Sequence, residues 1–222
     1  MTIESTEPTQ KTMPKPVLYY VHDPMCSWCW GYRPTWDILQ VQLQQKFGQQ
    51  LSLQYLVGGL APDSTEAMPE PMQQMLQQTW KNITQQLGTE FNHDFWQRCQ
   101  PRRSTYPACR ASIIARQFDQ ERAMINAIQH AYYLQAQNPS EVEVLCALAE
   151  SLGMNAVMFK EQLLSNNVDQ QLQQEIAFAR KLPIQGFPSL VLVANNRAYP
   201  IKLDYQQWQT SMADIQAVLS EH

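Results

Sequence analysis

The sequence predicts an α/β fold in which a βαβ unit near the start and a ββα unit at the end are separated by a long run of helices. Three observations carry this. Two continuous β-branched and aromatic runs flank one helical stripe within residues 17–57; residues 62–165 show helical periodicity alone; and strand character returns only at residue 189.

Residues 1–16 contain four Thr and three Pro and little that can be buried, so a flexible lead is expected there. Val17-Leu18-Tyr19-Tyr20-Val21 is the apolar run of a strand covered on both faces, and Asp23-Pro24 ends it. The second such run, residues 51–57, is closed by Gly58-Gly59. Between them Trp36, Leu39, Leu43 and Phe47 recur every three or four residues, which predicts a helix ending at Gly48. Strand, helix and strand form a βαβ unit, whose right-handed crossover makes the strands parallel.

Met72, Met75, Leu76, Trp80, Ile83 and Leu87 then form an amphipathic stripe between Pro71 and Gly88. Further helices are expected from Pro107, and from near Asp119 to the Asn138-Pro139 break. The next runs from a capping box at Ser140 and Glu143 to Gly153; another is capped by Asn155 and reaches Leu164; another spans residues 169–181. Residues 189–194 and 198–203, joined by the Asn195-Asn196 turn, read as a hairpin, and a helix follows over residues 205–219. The implied division is a core of residues 17–61 and 166–222 with a helical domain, 62–165, inserted into it.

Composition narrows the function. With 44% hydrophobic residues the chain buries a substantial core, and its net charge of -4 with no basic run argues against a nucleic-acid partner. No segment has the apolar length of a membrane span or a signal peptide, so a cytoplasmic location without membrane association is expected. In a reducing compartment the five cysteines are better explained as catalytic, metal-binding or buried thiols than as a disulfide framework.

Cys26-Ser27-Trp28-Cys29 lies just after the first strand and opens the first helix. A thiol there faces free backbone amides and the positive end of the helix dipole, which favours its thiolate. Cys26 is the expected nucleophile and Cys29, one turn on and more shielded, the resolving thiol. The competing reading is half of a zinc site. It lacks a second close pair, since Cys99 and Cys109 stand ten positions apart, and no bound metal is expected. Gly186-Phe187-Pro188-Ser189 precedes the third strand. A proline entering a strand cannot donate to the ladder, and a cis Phe187-Pro188 bond would leave neighbouring backbone open to an extended peptide.

Residues 21–31, Val-His-Asp-Pro-Met-Cys-Ser-Trp-Cys-Trp-Gly, taken with the element order and the Gly-Phe-Pro sequence, resemble the DsbA family of the thioredoxin superfamily over residues 17–219. Within it the chain is most similar to the branch that lacks signal peptides and is related to FrnE-type oxidoreductases. It is more distantly similar to 2-hydroxychromene-2-carboxylate isomerases and kappa-class glutathione transferases. Residues 58–62 and 99–110 resemble that branch too. The resemblance implies a thioredoxin fold, Cys26 as nucleophile, Cys29 as resolving thiol and Pro188 as a cis-proline beside them. It also implies disulfide exchange with protein thiols or small thiols, with glutathione as a redox partner and no other cofactor. The Ser27-Trp28 dipeptide departs from the Pro-His of periplasmic members, which removes one source of thiolate stabilisation.

Two rivals stand beside this reading: a glutathione-dependent transferase or isomerase on the same fold, and a redox-inactive peptide- or zinc-binding module. Ser27, Trp28, Trp30 and Phe187 are candidate substrate-binding residues. Cys109, near Arg102, Arg103 and Arg110, could form a second redox centre with Cys99, or be a small buried residue; Cys146 belongs to a core stripe. His22 and Asp23 end the strand as turn residues that could also tune the dithiol. The sequence leaves the oligomeric state and the direction of the redox reaction open.

Overall fold

The computed structural model describes residues 15–220. The lead expected over residues 1–16 therefore lies almost wholly outside the described residues. Four strands, β1 (Val17–His22), β2 (Ser52–Val57), β3 (Ser189–Ala194) and β4 (Arg197–Ile201), form one sheet in the order β2-β1-β3-β4. β1 and β2 are parallel, with Val17 opposite Ser52; β3 is antiparallel to both β1 and β4.

The central strand is buried on both faces, as its unbroken apolar run requires. Leu18 and Tyr20 pack with Tyr32, Trp36, Leu39 and Leu43 of α1 (Ser27–Phe47) and with Met212 and Ile215 of α9 (Trp208–Ser220). On the other face Val21 and Tyr19 pack with Leu56, Val191 and Ala179, the last residue of α8 (Asn166–Ala179).

Between β2 and β3 lie α2 (Glu70–Leu87), α3 (Phe95–Arg98), α4 (Tyr106–Arg116), α5 (Glu121–Tyr133), α6 (Val142–Ser151), α7 (Ala156–Leu163) and α8. Their core centres on Trp80, Phe95, Ile114, Ile128, Tyr133 and Leu145. Polar contacts fasten this helical region to the sheet. Arg116 of α4 pairs with Glu121 and Glu175 and also donates to the carbonyl of Tyr55 in β2, while Glu175 accepts from the backbone N–H of Val57.

Several helix ends follow the expected chemistry. Gly88 stops α2 at φ 71°, and Asn155 caps α7 by accepting from the amides of Val157 and Met158. Others differ. Ser140 does not cap α6, because its hydroxyl donates to the carbonyl of Ser104, and the helix begins at Val142 without a side-chain cap. Asp204 takes the amides of Gln206 and Gln207 in a turn, so the last helix starts at Trp208 and not at residue 205. Ser165 accepts from the amide of Val168, which starts α8 three residues ahead of the stretch expected from residue 169. The short α3 has too few turns to show a periodicity and is absent from the sequence reading.

Candidate active site

The site forms where β1 hands over to α1. Asp23 and Pro24 turn the chain, the amide of Cys26 donates to the Asp23 carbonyl at 3.0 Å, and Cys26 takes the N-cap position with extended backbone angles. Its carbonyl then accepts from the amide of Trp30, which starts the helix. Cys29 follows in the first turn, fully buried, while Cys26 retains 7% of its surface.

The environment drives the two thiols apart. The Cys26 pKa is lowered, foremost because the Cys29 thiol donates to it, with the amides of Cys29 and Trp28 adding to the effect against the opposing burial and the charge of Asp23. Cys29 is pushed well above its ordinary value by burial and by the hydrogen bond and charge of Cys26. The arrangement therefore favours the thiolate on Cys26, the less buried of the two sulfurs, over one on Cys29 behind it. Both cysteines are reduced here.

Across from Cys26 stands the loop before β3. The Cys26 Sγ lies 3.5 Å from the carbonyl oxygen of Phe187, and the Phe187–Pro188 peptide bond is cis. A groove with a cavity of about 340 Å3 opens over this sulfur. Ser27, Trp28, Gly186 and Phe187 line one side, Met68, Leu76 and Trp80 of the helical region the other, and Arg102 and Arg103 lie along it. Arg102 is paired with Glu141, so an apolar floor beside the Arg103 guanidinium suits a ligand with an apolar or thioether portion and a carboxylate.

Of the sequence-predicted residues, Cys26, Ser27, Trp28 and Phe187 come together at this groove. Trp28 also meets Tyr205 edge to face, with ring centroids 5.3 Å apart. Trp30 does not join them: it stacks on Tyr133 and donates its indole N–H to the Glu90 carbonyl on the far side of the helix. Cys109 and Cys99 also differ from the low-pKa centre considered for them. Cys109 is fully buried and its pKa is raised well above the ordinary value by burial and by Asp23, while Arg110 is engaged by Asp63 and Asp169. The Cys99 thiol donates to the Ala136 carbonyl, and its pKa is likewise raised by burial. Among the described residues no group of three or more His, Cys, Asp or Glu is placed to hold a metal ion.

Asp23 does more than its place in a turn suggests. It is fully buried and accepts from the amides of Met25 and Leu60, the hydroxyl of Thr105 and the thiol of Cys109. Three of these partners are remote in sequence and come from residues 58–62 and 99–110, so no local pattern shows them. His22, equally buried, has no protein partner for either ring nitrogen and stacks on Tyr20, and burial lowers its pKa to about 3.

Comparison with known proteins agrees with this architecture. The thioredoxin family model matches residues 19–207. Among solved structures, the chain resembles a "putative protein disulfide isomerase" from Nitrosomonas europaea, with 25% identity, a TM-score of 0.78, and coverage of 94% of this chain and 99% of that one. It also resembles the cytosolic disulfide reductase DsbM from Pseudomonas aeruginosa, with 22% identity, a TM-score of 0.72, and coverage of 93% and 100%; that reductase has also been solved with GSH. The ClpXP adapter protein SpxH of Halalkalibacterium halodurans is 23% identical over 186 residues, covering 81% of this chain. The chain spans 59% of the length of that curated relative. No helix among the described residues is long and apolar enough to cross a membrane. The chain belongs to the thioredoxin family, and its resemblance is to the DsbA-like members.

Proposed function

We propose that this thioredoxin-family chain is a thiol-disulfide oxidoreductase that works through Cys26 and Cys29. The observation that carries the reading is the placement of the pair: Cys26 at the mouth of a helix and facing a groove, with its pKa lowered, and Cys29 fully buried one turn behind it, with its pKa raised. The Cys26 thiolate attacks a substrate disulfide, forming a mixed disulfide and releasing one substrate thiolate. Cys29, once deprotonated, attacks the Cys26 sulfur, forming the Cys26–Cys29 disulfide and releasing the second thiolate. The reverse sequence oxidises a dithiol.

The Phe187 carbonyl borders the attacking sulfur, and Pro188 has no N–H to compete for an approaching chain. We assign the groove to cysteine-bearing peptides and small thiols that carry a carboxylate for Arg103, glutathione among them. The reducing cytoplasm is the compartment in which such a dithiol acts as a reductase. The test is dithiothreitol-driven insulin reduction: activity is expected for the native protein and absent in Cys26→Ser, and Cys29→Ser is expected to accumulate a mixed disulfide. Full activity in Cys26→Ser contradicts the proposal, and glutathione transfer that survives Cys29→Ser favours a transferase.

A further inference from the structure

The carbonyl of Met25, the residue before the nucleophile, accepts a hydrogen bond from the hydroxyl of Tyr133 at 2.7 Å. Tyr133 is the last residue of α5, 108 positions away in the chain, and both residues are buried. The ladder of α1 does not reach this carbonyl, because its first acceptor is the carbonyl of Cys26, taken by the amide of Trp30. At the other end of the same peptide unit, the amide of Cys26 donates to the Asp23 carbonyl. One contact within the turn and one from the inserted helices therefore hold the Met25–Cys26 peptide at both ends.

The phenol has little freedom of its own. Its ring is fully buried, stacks on Trp30 at 5.6 Å and meets Trp80 and Phe91 edge to face at 5.4 and 5.3 Å, while the backbone carbonyl of Tyr133 takes the amide of Asn92. With the ring wedged in this way, the hydroxyl has one place to stand. Burial, foremost, holds its pKa well above the ordinary value, so it stays a donor across the range in which the dithiol works. Tyr132, the residue before it, lines the groove, so α5 supplies a groove wall and the contact to Met25 from adjacent positions.

We infer that Tyr133 is a positioning residue for disulfide exchange: its hydroxyl fixes the Met25–Cys26 peptide and, through it, the seat of the Cys26 sulfur. The inference rests on the oxidoreductase reading. A peptide unit moves as a rigid plane, and the nitrogen of this one is the backbone nitrogen of Cys26. Its rotation would change the φ of Cys26 from -81° and swing Cβ and Sγ relative to the helix. The sulfur has to stay where the amides of Cys29 and Trp28 reach it and where the Phe187 carbonyl lies 3.5 Å away. Tyr133 keeps its proton and does not line the groove, so it acts on the reaction only through the backbone. The inserted helices thereby set the reactivity of the dithiol as well as one wall of its groove.

The experiment is the pH profile of Cys26 alkylation by iodoacetamide, a reagent that needs no recognition by the groove, in the reduced native chain and in Tyr133→Phe. Phe keeps the ring and its packing and removes only the donor. The midpoint of the profile is expected to rise by about half a unit in the variant, a roughly threefold loss in the ratio of thiolate to thiol, which is the size of one modest hydrogen bond. A merely structural role would lower the Tm and leave the midpoint in place. Tyr133→3-fluorotyrosine, a more acidic donor on the same ring, is expected to move the midpoint the other way, and it decides alone should Tyr133→Phe fail to fold. A Tyr133→Phe midpoint equal to the native one, or a fluorotyrosine midpoint at or above it, overturns the positioning role and leaves the oxidoreductase reading standing. A native midpoint that is not below the 9.0 of an ordinary thiol overturns that reading itself.

Discussion

The hydroxyl of Thr105 donates to Oδ2 of Asp23 across 2.6 Å, joining the turn that carries Cys26 to the residue before α4. The same oxygen takes the amide of Leu60, just beyond β2, so a single buried carboxylate gathers three chain segments at the turn that carries Cys26. Its negative charge works against the Cys26 thiolate even as its hydrogen bonds hold the turn in place.

These two effects can be separated with Asp23→Asn. The amide offers one acceptor oxygen where two are in use, so the variant is expected to lose about 1–3 kcal/mol of stability for a buried donor left unpaired. Removal of the charge lowers the Cys26 pKa further. Urea unfolding and thiolate absorbance at 240 nm measure both; a stable variant with a raised Cys26 pKa contradicts the account.

His22 gives a pH dependence of definite sign. Its folded pKa of about 3 lies below the ordinary 6.5, so between those values the unfolded chain binds a proton that the folded chain does not. Stability therefore falls as pH drops below 6.5, by about 2 kcal/mol at pH 5 relative to pH 7. His22→Phe, which keeps the stack on Tyr20, should remove this component of acid sensitivity without loss at pH 7. Parallel stability-against-pH curves for the two proteins would contradict it.

At Gly58 the constraint is space. A Cβ there would lie 2.0 Å from Cε1 of Phe187, the residue whose carbonyl borders Cys26. Gly58→Ala is expected to cost about 1–3 kcal/mol as the ring is pushed aside. Insulin reduction should fall because moving the ring shifts the Phe187 backbone whose carbonyl faces the sulfur. A Tm and rate equal to those of the native protein would show that the ring moves freely.

Arg103 lines the groove without being part of the dithiol. Arg103→Ala is expected to raise KM for glutathione disulfide roughly tenfold, the loss of one partly solvated charge-assisted contact. The kcat with an uncharged disulfide should be unchanged. Equal KM values for both substrates before and after the substitution would remove Arg103 from recognition.

Much of this was legible in the sequence because its signals are local. The runs of β1 and β2, the Gly88 stop and the Asn155 cap depend on residues within one turn or strand, and the placement of Cys26 follows from the strand-to-helix boundary beside it. What the sequence could not show are contacts across the fold. Asp23 reads as a turn residue until Thr105 and Cys109 arrive from more than eighty positions away. Trp30 failed in the opposite direction: its neighbours in sequence suggested the groove, but the helical twist carries it to Tyr133.

The most direct test is the titration of Cys26 in reduced protein, followed as thiolate absorbance at 240 nm with Cys26→Ser as the blank. The account predicts a midpoint clearly below the 9.0 of an unperturbed thiol, with Cys29 remaining protonated throughout that range. A Cys26 midpoint at or above that value would contradict it.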